Sequence, residues 1–166
     1  MTIKTFTAGE KLNAQDLNDN FTILKTIGTG VAKTNGFSTT NTTFTTGQTT
    51  DFTASGENKE VYNFNWAIRF YISNPPASRT GSVQFIVTFD DATTDTVTVG
   101  SITNASTRYT FQEGYYSGTK KIDTIQWQVK TSNADTPAII QGVSESNTSY
   151  AADLGSAIYF TYMGDY

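Results

Sequence analysis

The residues that could do chemistry are few. The run FDDATTDTV places Asp90, Asp91 and Asp95 close together, and clustered carboxylates beside threonine oxygens are the chemistry of a Ca²⁺ site. The run lacks the spacing and closing Glu of an EF-hand loop. Aspartates at a strand end more often bond their own backbone and make a turn, so no metal is assigned. Glu57, Glu60 and Glu113 are the acids from which a glycosidase pair would be drawn, but nothing in the sequence brings two of them together. The chain contains no His and no Cys. The commonest general base, the commonest metal ligand and the thiol nucleophile are therefore missing, and so is any disulfide. The expectation is a protein that is not an enzyme and needs no cofactor.

Aromatic side chains remain as candidate ligand contacts, since they make 13% of the chain and exposed rings are stacking platforms for sugars. Trp66 shares an alternating face with Phe64, Ile68 and Phe70, and Trp127 shares one with Ile125 and Val129; both are expected in the core. Tyr115 and Tyr116, in the run EGYYSG, are the better candidates. Read as a turn, that run would project from the rim of the fold, where two consecutive rings cannot easily both hide. Subunit contact is an equal reading of the same pair.

The elements that position these groups are mostly strands. In FNWAIRFYI, Phe64, Trp66, Ile68, Phe70 and Ile72 fall on one face, and SVQFIVTF repeats the pattern with Val83, Phe85, Val87 and Phe89. TVTVGSI, RYTF, DTIQWQV, PAIIQGV and AIYFTYM follow, separated by turn signals such as NPPASRTG, DDATTD, EGYYSGTK and SNADTP. Many short strands with regular turns predict a mainly β fold, an antiparallel β-sandwich or jelly roll, preceded by one short N-terminal helix.

That helix is read in TAGEKLNAQDLNDNFTILKTIG. Asn13 is its N-cap, Asp16 stands at the capping-box position, Leu12 and Leu17 form a hydrophobic staple, and Gly28 supplies the stop. Leu17, Phe21 and Leu24 recur at helical spacing, with Ile27 extending the face. About four turns is marginal for a helix alone in water, so its stripe must pack on something. Between helix and strands lies VAKTNGFSTTNTTFTTGQTTDFTAS, Thr-rich with isolated Phe37, Phe44 and Phe52. It is read as an arm with partial strand pairing, the alternative being the first strands of the β-domain. The expected organisation is 1–30 anchor and oligomerisation helix, 31–59 Thr-rich arm and 60–166 β-sandwich body.

Composition narrows the partners. Lys+Arg 11 against Asp+Glu 15 gives a net charge of −4 with no basic run, which argues against nucleic acid. No apolar run approaches the roughly 18 residues of a membrane span, and MTIKTFTAGEK lacks a signal-peptide core. A chain made in a cytoplasm, soluble and not inserted in membranes, is expected. Charged residues are only 16%, against about 25% for an average domain, with Thr, Ser, Asn and Gln in their place. Such neutral polar surfaces suit packed assemblies.

The opening segment resembles the N-terminal segments of bacteriophage virion proteins, especially tail fibres and spikes, in which a G-x-x-L-N-A-x-D-L-N-x-N-F run precedes a trimeric body. The matching residues are Gly9, Leu12, Asn13, Ala14, Asp16, Leu17, Asn18, Asn20 and Phe21; the β-region resembles no family. The resemblance implies a virion localisation and a structural role as a tail fibre or spike-type appendage attached by its N-terminus. Its partners would be two further copies of itself in a homotrimer, other virion proteins and, for the β-domain, a host surface glycan. Leu12, Leu17, Phe21, Leu24 and Ile27 would make the oligomerisation and anchor contacts. A capsid or tail decoration protein and a soluble carbohydrate-binding module are the alternative functions.

Overall fold

The computed structural model describes residues 27–53, 59–73, 78–103, 110–142 and 155–164. Among them are nine strands and no helix: β1 (Ile27–Lys33), β2 (Phe37–Thr39), β3 (Thr45–Asp51), β4 (Glu60–Ile72), β5 (Thr80–Phe89), β6 (Thr94–Thr103), β7 (Thr110–Thr131), β8 (Ala138–Ile140) and β9 (Ala157–Met163). All pairings are antiparallel, and the main path runs β1-β9-β4-β7-β5-β6.

Strand β7 organises the molecule because it is 22 residues long, beyond the usual 3 to 10. Its first half pairs with β4, from Phe70↔Thr110 to Asn63↔Ser117. Its second half lies between β5 and β3, with Phe85 and Gln48 both opposite Trp127. The sheet therefore has two leaves joined through β7. The first comprises β1, β9, β4, the start of β7, and β8 with β2; the second comprises β3, the end of β7, β5 and β6.

The alternating strands supply the core as their period demands. Phe64, Ile68, Phe70 and Ile72 from β4 are buried, with Val83, Phe85 and Val87 from β5 and Ile125, Trp127 and Val129 from β7. The two leaves meet ring to ring: Phe85 lies edge-on to Phe64 and Trp66 at centroid distances of 5.8 and 5.7 Å, within the range favoured by aromatic pairs. Trp127 is fully buried, and its indole N–H donates to Thr50 Oγ1 at 3.1 Å. Both tryptophans are thus core residues, as their alternation predicts.

Three expectations are corrected. Ile27 and Gly28 do not end a helix; they open β1, opposite Met163 and Tyr162. A Cβ on Gly28 or Gly30 would collide with the Tyr162 or Phe160 ring of β9, so glycine stands here because aromatic side chains cover the backbone. Strand β1 runs across the expected boundary at 30. The Thr-rich stretch contains the end of β1 together with β2 and β3, which pair with β9, β8 and β7, and Phe52 joins the core against Phe160 at 4.8 Å. Finally, EGYYSGTK is no turn but the middle of β7. The expected helix, with Leu12, Leu17, Phe21 and Leu24, lies outside the described residues.

Candidate functional site

Consecutive strand residues point to opposite faces, so the tyrosine pair is split. Tyr116 turns inward and stacks on Phe64 at 5.3 Å. Burial raises its pKa above the usual phenol range, and the charge of Asp95, to which it is hydrogen-bonded, raises it further. Tyr115 turns outward and is 74% exposed.

Tyr115 belongs to a larger surface. It stands opposite Asn65 of β4, which on its other side stands opposite Tyr159 of β9, itself opposite Val31 of β1. Directly paired residues share a face, so Val31, Tyr159, Asn65 and Tyr115 form one row across four strands. Phe111 and Met163, four residues from Tyr115 and Tyr159 along their strands, stand on the same face. Val31, Phe111, Tyr115, Tyr159 and Met163 are the exposed large hydrophobic side chains among the described residues. All five occur on the outward face of the first leaf.

The outward face of the second leaf is different. Gln84 donates to Gln128 at 2.8 Å, Gln128 donates to Thr46 at 3.0 Å, and Thr46 donates to Gln126 at 3.3 Å. Ser82 is bonded to Ser101 at 2.8 Å and Thr80 to Thr103 at 2.7 Å. These groups satisfy one another in a neutral polar ladder. Large apolar side chains gathered on one exposed face, rather than scattered singly, are the pattern of a contact surface.

Two depressions lined by described residues accompany these faces. One, of about 330 Å³, opens on the outward face between β1, β9 and β4 and is lined by Thr29, Gly30, Val31, Asn63, Phe64, Asn65, Tyr159, Phe160 and Thr161, none of them charged. The other, of about 470 Å³, lies beside the β5–β6 turn and includes Asp95, Tyr116 and Lys120. Its charges are already engaged. Lys120 meets Asp91 at 2.6 Å, while Asp95 accepts from the Thr96 amide at 2.7 Å.

The aspartate run accordingly behaves as turn chemistry. Asp91 accepts from Lys120 and from the hydroxyl and amide of Thr93, which together hold its pKa down at about 2. Ala92, inside the turn, takes a φ of 61°, a conformation to which the neighbouring Asx-type bond is suited. Glu60 stands opposite Met163 and Glu113 opposite Ala67. Seven residues of β4 separate those rows, roughly 23 Å at about 3.3 Å per residue, so these two acids are not brought together. Glu57 lies outside the described residues.

The sequence reading found Tyr115 but missed Tyr159, Phe111, Val31, Met163 and Asn65. Alternation in AIYFTYM does place Tyr159, Thr161 and Met163 on one face. Only the register between four distant strands shows which face is outward.

No family model matches the sequence, and no curated protein matches it. Among solved structures, the chain is similar to three from infectious bursal disease virus. The structure of its Gt strain aligns with a TM-score of 0.47 and 11% identity over 84% of this chain and 38% of that chain. The Gx strain structure gives 0.47 and 10% over 82% and 37%. The crystal structure of its VP2 subviral particle gives 0.44 and 12% over 82% and 36%. This chain thus spans well under half the length of those it aligns with.

Proposed function

We propose that the chain is a structural, non-enzymatic component of a virion, a tail fibre or spike-type appendage of a bacteriophage. In this reading residues 1–26 attach it and the β-sandwich body presents the outward face of its first leaf. The observation that carries the reading is the concentration of Val31, Phe111, Tyr115, Tyr159 and Met163 on one face, opposed to a self-satisfied polar face on the other leaf. That asymmetry supports a body that makes contacts. The segment from Gly9 to Phe21, which resembles phage appendage proteins, supports the attachment. Three copies would meet through Leu12, Leu17, Phe21 and Leu24, a stripe too narrow for a helix to bury alone; Ile27 is not included, because it opens β1.

A capsid or tail decoration protein would use the same face differently, hiding it against neighbouring subunits. A soluble carbohydrate-binding module would be monomeric and absent from particles. Quantifying the chain in gradient-purified particles separates these readings. An appendage is present in a few copies per particle with Tyr115 open to surface labelling. A decoration protein is present in many copies with Tyr115 protected, and a soluble module is left in the supernatant.

A further inference from the structure

We propose that the outward face of the first leaf is a binding site for a neutral glycan, held between Tyr159 and Tyr115 with the Asn65 side chain between them. The proposal rests on the appendage reading and assigns a ligand to its exposed face.

The geometry is a short aromatic track. Tyr159 and Tyr115 flank Asn65 on neighbouring strands, so their backbones are separated by two strand spacings, about 10 Å at roughly 4.8 Å each. They are 46% and 74% exposed. Two rings on one sheet face, separated by the width of one strand, can each take the C–H face of a different sugar of one oligosaccharide. Side-chain amides supply what the rings lack: Asn65 and Asn63 each carry a carbonyl oxygen and an NH₂ group, which match vicinal hydroxyls acting as donor and acceptor together. Thr29 and Thr161 add hydroxyls along the groove of about 330 Å³.

Charge selects the ligand class. Among the described residues no acidic or basic side chain lines the groove. The charged residues of the face begin in the next row, where Lys33 and Glu113 stand at opposite ends with Ala157 and Ala67 between them. An anionic polysaccharide would find no cation among the described residues of the groove. A neutral one meets rings, amides and hydroxyls there. The cleft beside Asp95 and Tyr116 is the weaker candidate, because its polar groups bond one another and Tyr116 is stacked on the core.

The test uses the full-length chain and a panel of neutral gluco-, galacto-, manno- and N-acetylhexosamine oligosaccharides, screened on an array and measured by titration calorimetry. We expect at least one to bind. Tyr159→Ala and Tyr115→Ala should each weaken it tenfold or more, and Asn65→Ala severalfold, with thermal melting unchanged. Tyr116→Phe, which removes only an inward hydroxyl, should leave affinity within twofold. No binding by any member at millimolar concentration overturns the proposal, and so do alanine variants that bind like the wild type. Dissociation of an oligomer by Tyr115→Ala in sedimentation also overturns it, by making the face a subunit contact. Incorporation of the same variants into particles is scored separately, so loss of the glycan site and loss of the appendage reading give different results.

Discussion

Trp66 lies over the backbone of Gly114, its direct partner across β4 and β7, so closely that a Cβ at position 114 would overlap the indole ring. The same indole packs edge-on against Phe85 of the second leaf at 5.7 Å. A glycine in the first half of β7 thus lets the ring lie flat on its own leaf while still meeting the other.

Gly114→Ala should therefore destabilise the body by about 1 to 3 kcal/mol, the usual cost of forcing volume into a packed site. Alanine suits a strand no worse than glycine, so propensity predicts no loss. Chemical denaturation separates the two: a lower midpoint at an unchanged slope is expected.

Phe85 touches Phe64, Trp66 and Trp127 and is fully buried. Phe85→Ala should cost about 3 to 5 kcal/mol, as for other large aromatic truncations in a core. Tyr115→Ala, on an open face, should change stability by less than about 0.5 kcal/mol. Melting the two variants side by side tests whether the inward and outward assignments hold.

How the sequence misled and informed follows from these residues. The run from Phe64 to Ile72 was legible because strict alternation has only one way to be half-buried, and the buried set is the one the period selects. The run EGYYSGTK was misread because glycine signals a turn and equally a strand covered by an aromatic ring. Gly114 under Trp66, and Gly118 close to the Tyr116 ring, are of the second kind, and nothing local distinguishes them. Gly28 misled in the same way, as a helix stop that proves to lie beneath Tyr162. The contact face was illegible for another reason. Tyr159 is 44 positions beyond Tyr115 in the sequence, and only the shared partner Asn65 puts them side by side.

Acid should weaken the β5–β6 turn. The Lys120 bond and the two Thr93 bonds hold the Asp91 pKa at about 2, below its ordinary 3.8. A depressed carboxylate stabilises the fold above its unfolded pKa and loses that contribution as pH falls through the folded value. The melting temperature should therefore decline between about pH 4 and pH 2. In Asp91→Asn this part of the decline should be absent, and high salt should shrink the difference, because Asp91 and Lys120 are about half exposed. Thermal melts across pH 5 to 2 at two salt concentrations check both statements.

Phe21→Asp would place three carboxylates near the axis of the proposed trimer. Unpaired buried charge costs several kcal/mol, enough to dissociate an assembly held by a narrow stripe. Light scattering should find a trimer for the wild type at micromolar concentration and a monomer for the variant, with the β-type circular dichroism of both alike. A wild-type monomer would contradict the trimer.

Attachment through residues 1–26 is tested most directly by removing them. The cut belongs before Ile27, since β1 starts there. A cut at Val31 would strip Ile27–Gly30 from β9 and uncover the Phe160 and Tyr162 rings. In cells making particles that lack the full-length chain, the chain beginning at Ile27 is supplied instead, and its copy number in gradient-purified particles is measured by mass spectrometry against the full-length control. The account predicts a soluble, cooperatively melting body that is absent from the particles, while the full-length chain is present. A truncated chain that enters particles at the full-length copy number, or a full-length chain found only in the supernatant, would contradict it.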